Sequence, residues 1–162
     1  MVLFVSMLTI MFTAKSNAAN AEVTWTNSDK YQDIRSGFDN RKRFKKRTFK
    51  SFEKHFSGLA DQLPQGLLLK IDVIDVDLAG DMGFHSDRQV RVVKDIYFPR
   101  LKFSYELFNV DKSLVTSGDI NLKDMSFMLS NNLRYRNKAL GYEKRMLDNW
   151  FNDTFRNMVA SD

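Results

Sequence analysis

The sequence predicts an α+β fold, a mostly antiparallel sheet of about four strands with two amphipathic helices packed on one face, in the order β-α-β-β-β-α. Three observations carry this. Two segments, 39–63 and 140–159, place apolar residues at helical spacing along a single face. Four runs, 22–26, 67–78, 99–109 and 114–122, alternate with the period of a strand. The last two of these are separated only by the turn-rich Asn109–Ser113, so they form a hairpin and fix the antiparallel sense there.

In chain order, Val2 to Phe12 is an apolar run of eleven residues, too short for a membrane span. Small residues follow, and Ala19-Asn20-Ala21 fits the A-x-A pattern of signal-peptide cleavage. Ser16-Asn17-Ala18 offers a second site three residues earlier. Residues 1–21 are thus expected to be a signal peptide cut near Ala21, and 22–162 a single domain of 141 residues. No Lys or Arg precedes the apolar run, so the initiator amine would supply the only positive charge there. Glu22 to Thr26 sets Val23 and Trp25 on one side of a first strand. Residues 27–40, rich in Ser, Asp, Gly and Asn, read as a loop.

The first helix carries Phe49, Phe52, Phe56, Leu59 and Leu63 at spacings of three and four. Asp39 or Asn40 can cap it, while Pro64 and Gly66 end it. Leu67 to Leu78 alternates, but its phase slips at Val73-Ile74, which predicts either a bulge or burial on both faces. Residues 80–89 read as a polar turn. Pro99 opens the next strand, with Leu101, Phe103, Tyr105 and Leu107 inward and Arg100, Lys102, Ser104 and Glu106 on a wet outer face. Leu114, Thr116, Ile120 and Leu122 run in phase on the return strand. After an irregular stretch at 130–138, the last helix buries Leu147, Trp150, Phe151, Phe155 and Met158.

Composition narrows the function. With no cysteine, the chain can hold neither a disulfide nor a lipidated N-terminal Cys, so a soluble periplasmic or secreted product is expected. The formal charge is +5, or +4 once Lys15 leaves with the signal. Export directs that charge toward anionic envelope polymers or lipid headgroups and away from nucleic acid.

The strongest local signal is Arg41, Lys42, Arg43, Lys45, Lys46 and Arg47, six cations around Phe44, followed by Lys50 and Lys54. These form a candidate anion-binding face. Solvation alone also produces charged helix faces of this kind, but basic residues at a helix N-terminus oppose the macrodipole by a few tenths of a kcal/mol each, roughly. The aspartates at 72, 75, 77 and 81 fail the calcium-loop pattern, because Ala79 and Ser86 stand where ligands are needed. His55 and His85 lack partners at metal spacing. No nucleophile elbow, phosphate loop or dinucleotide fingerprint occurs, and no metal, cofactor or catalytic set is predicted.

The chain also resembles the bacterial domain-of-unknown-function family numbered 3016, exported proteins of Gram-negative bacteria. The resemblance is carried by 29–35 (DKYQDIR), Leu63-Pro64-Gln65-Gly66, 75–80 (DVDLAG), 99–105 (PRLKFSY), 121–125 (NLKDM) and 142–147 (YEKRML). It implies export and a single domain, and brings no activity, substrate or site residue. The functional expectation is a non-enzymatic binding or accessory module of the cell envelope, engaging an envelope protein or an anionic polymer or headgroup. The competing expectation is a hydrolase of an envelope substrate using carboxylates such as Asp75, Asp77 or Asp124.

Overall fold

The computed structural model describes residues 19–31, 33–34, 40–85, 88–129, 135 and 138–159, with backbone alone at 85, 88 and 89. The elements are β1 (Asn20–Trp25), α1 (Arg41–Ala60), β2 (Leu68–Asp77), β3 (Asp81–His85), β4 (Arg88–Val92), β5 (Arg100–Phe108), β6 (Leu114–Lys123) and α2 (Gly141–Phe155). Residues 1–18 of the expected signal peptide, and Asp39 as a possible cap, lie outside the described residues. So does most of the expected irregular stretch at 130–138.

Four strands form one mixed sheet in the order β1-β2-β5-β6. β1 lies parallel to β2, from Asn20 opposite Leu68 to Trp25 opposite Val73. Parallel neighbours need a long crossover, and α1 supplies it. β2 runs antiparallel to β5, and β5 to β6. The phase slip is a bulge. Val73 faces Phe103 and Asp75 faces Lys102, which leaves Ile74 as the extra residue, turned outward and 48% exposed.

One sheet face is the core. Leu69, Ile71, Val73, Leu101, Phe103 and Leu107 are fully buried there beneath Phe52 and Phe56 of α1 and Leu147, Phe151 and Phe155 of α2. Phe103 marks the junction of the two helices. Its ring centroid lies 5.9 Å from Phe56 and 4.8 Å from Trp150, both edge-on. Both helices therefore pack on the same face, and Lys102 and Glu106 stand exposed on the other.

Two differences from the sequence reading have simple causes. The 80–89 segment is part of a separate hairpin, β3 with β4, rather than a turn. Its alternation continues through Val90 and Val92 and is diluted by Gly83 and charges. Leu114 is exposed because the pairing slips between Leu107 and Phe108, ahead of the in-phase run. At α2 the preceding Leu140 is left-handed (φ 57°) with no side-chain cap. Gly141 follows because a Cβ there would stand 2.2 Å from the Tyr135 carbonyl oxygen.

Trp150 is buried and its indole N–H has no acceptor among the described residues. Phe103→Ala is expected to cost about 3–5 kcal/mol in urea denaturation. Trp150→Phe is expected to cost less than half as much, because the lost packing is offset by removal of the orphan donor, worth roughly 1–3 kcal/mol.

Candidate anion-binding site

α1 begins with Asn40, whose side-chain oxygen accepts from the backbone N–H of Lys42 at 2.9 Å and of Arg43 at 3.3 Å. No acidic residue occupies the first turn, so the positive end of the helix and its cations reinforce one another. The helix twist sorts the six predicted residues. Arg41, Lys42, Lys45 and Lys46 line one groove of about 910 Å³, joined by Lys50, Asp29, Phe49 and Glu53. Arg43 and Arg47 are not among its lining residues, and Arg47 lies 5.8 Å over the Phe44 ring.

Phe49, part of the apolar stripe of α1 and packed against the core, is the aromatic residue that lines the groove. Phe49 is only half-buried, and Trp25 of β1 stacks on it with centroids 3.8 Å apart and planes 3° from parallel. Trp25 also donates its indole N–H to Glu53 at 2.9 Å, which fixes the ring at the groove's edge. Lys45 Nζ sits 5.5 Å from the Phe49 centroid and 2.6 Å from Asp29. That hydrogen bond holds the exposed Asp29 carboxyl below its ordinary range. The resulting groove combines the apolar face of Phe49 with a cationic rim beside a helix N-terminus.

The carboxylates considered for catalysis are dispersed. Asp124 is held by Arg145 at 2.6 Å, and Asp75 faces Lys102 across the sheet. Asp77 is held by Arg100 at 2.7 Å and lines a polar cleft of about 310 Å³ with Asp33 and Asp81. Burial raises the Asp77 carboxyl, against the lowering effect of Arg100. Asp33 bridges to Asp77 through the backbone and pairs with Arg91 at 2.5 Å. The sequence reading did not single out Asp33, Arg91 or Glu143, although Asp33 and Glu143 lie in stretches that carry the family resemblance. Glu143 is 2% exposed and accepts the Ala79 N–H at 2.7 Å, which ties α2 to the end of β2.

His55 is also placed. Its Nε2 lies 2.7 Å from Asp148 and 3.2 Å from the Lys144 carbonyl oxygen, joining α1 to α2, and Tyr135 donates to the same aspartate. The nearest signal for this was its position at the border of the apolar stripe. Among the described residues no group of three or more His, Cys, Asp or Glu could hold a metal ion, and no helix is long and apolar enough to cross a membrane.

A small α+β fold with a cluster of cations on its first helix is the class these features define. The family model described as "Protein of unknown function (DUF3016)" matches residues 19–153, and the chain belongs to that family. No curated protein and no solved structure matches.

Burial raises the Glu143 carboxyl, more than its contacts with Ala79 and Arg91 lower it. A folded chain with a raised carboxyl binds that proton more readily than the unfolded chain does. The charge therefore destabilises the fold at pH well above the ordinary carboxylate range, and the penalty vanishes as pH falls through that range. Glu143→Gln, which keeps an acceptor for Ala79, should unfold at higher urea concentration than the parent at pH 8. The advantage should disappear by about pH 4, near the ordinary carboxylate value.

Proposed function

We propose that this protein is an exported, non-enzymatic binding module of the cell envelope, and that it engages phosphate-bearing anionic lipid headgroups through the groove on α1. The observation that carries the reading is the convergence of Arg41, Lys42, Lys45, Lys46 and Lys50 on one groove at a helix N-terminus. Surface cations merely dissolved in water have no need of a shared concavity. Phe49, braced by Trp25, favours a headgroup over a purely charged polymer, because glycerol and acyl carbons would use its apolar face while phosphate meets the rim. Export is supported by the apolar run Val2–Phe12 and the small residues after it, and it places the protein among such lipids.

Each basic residue near an anionic surface contributes about 1 kcal/mol at low ionic strength. Replacing Lys42, Lys46 and Lys50 by Gln should therefore weaken binding to vesicles containing anionic phospholipid roughly 100-fold, measured by co-sedimentation. Vesicles of neutral lipid should not retain the parent, and salt at about 1 M should release it, since the Debye length then falls to about 3 Å. Equal retention by soluble anionic glycan would move the proposal from lipid to polymer.

A second reading has one specific observation in its favour, the raised Asp77 carboxyl in a cleft shared with Asp33. It is a carboxylate-dependent hydrolase acting on an envelope substrate. Turnover of cell-wall or lipid substrates by the purified protein, lost in Asp77→Asn, would establish it in place of the binding reading.

A further inference from the structure

We propose that the leader is removed between Ala18 and Ala19, so that the working domain begins at Ala19 rather than Glu22. The inference rests on the export reading and makes Ser16-Asn17-Ala18 the recognition site of a peptidase that selects small residues one and three positions before the cut. The other site with that pattern, Ala19-Asn20-Ala21, lies inside the fold.

Three contacts would be lost with a cut after Ala21. Ala19 is 3% exposed and belongs to the core cluster. The Asn20 N–H donates to the Leu67 carbonyl at 3.0 Å, the first bond joining β1 to the chain at β2. Asn20 and Ala21 pair with Leu68 and Leu69, and Ala21 packs against the core. Such a cut would shorten a six-residue edge strand to four. Cutting after Ala18 keeps every one of these pairings. It is also the nearer site to the apolar run that a membrane-bound peptidase would read.

The test is the mass of the N-terminal peptide, after the full chain is expressed with its own leader in a Gram-negative host and the periplasmic fraction is collected. The expected mature chain starts at Ala19. Ala18→Phe should abolish that product, and Ala21→Phe should leave the cut at the same bond, because Ala21 lies beyond it. A mature chain starting at Glu22, with the opposite response to the two variants, overturns the assignment while leaving export intact. A chain that keeps Met1 and stays in the cytoplasm defeats the export reading and this inference with it.

Discussion

Most of the structure is fastened to one strand. β2 accepts β1 along its first half and β5 along its full length, so its backbone is paired on both edges from Leu68 to Val73. Its side chains are fastened as well. Thr24 and Thr26 donate to Asp72 at 2.9 and 2.8 Å, and the Tyr31 hydroxyl donates to the Val73 carbonyl at 2.6 Å. Beyond the strand, Ala79 donates to Glu143, and Arg91 donates to the Gly80 carbonyl at 2.8 Å. The bulge at Ile74 lets the strand satisfy all of this. It shifts the phase by one residue, so Val76 returns to the core while Asp75 and Asp77 stay on the polar side.

The position of α1 follows from that arrangement. Because β1 must run parallel to β2, the chain has to cross back over the sheet, and the crossover helix lies on the core face with Phe52 and Phe56 buried. The edge strand β1 then carries Trp25 against Phe49, just where the helix surface turns from apolar to basic. The groove is a product of the topology. Its cations and Phe49 come from a single helix, and the edge strand braces Phe49 through Trp25. Asp29 and Glu53 temper the charge at one side, through Lys45 and Trp25, and the rim at Arg41, Lys42, Lys46 and Lys50 keeps its positive field.

The parts of this protein that were legible in the sequence are those governed by local period. The stripe of α1, the alternation of β5 and the slip at Val73-Ile74 each report on residues a few positions apart. Contacts between distant segments left little trace. The parallel sense of β1 depends on the path of residues 26–67 and not on the strand's own pattern. The β3–β4 hairpin was hidden because Gly83 and the scattered charges Asp81, Arg88 and Arg91 interrupt the alternation of a short ladder. The six cations lie in one run of sequence, but which of them share a groove depends on the helix twist, with Asp29 completing the lining from twelve residues before Arg41. Glu143 and Arg91 have no local signature: Glu143 is buried where α2 meets the chain after β2, and Arg91 is held by Asp33 and the Gly80 carbonyl.

Trp25 offers the most direct test, because it contacts the groove residues Phe49 and Glu53, and Trp150, the only other tryptophan, is buried in the core. In a Trp150→Phe background, Trp25 emission would be recorded while vesicles of anionic or neutral phospholipid are added at low salt. If α1 and β1 together receive the headgroup, anionic vesicles shift and change the intensity of that emission, salt reverses the change, and neutral vesicles leave it alone. An emission spectrum unmoved by anionic vesicles at low salt would contradict the account.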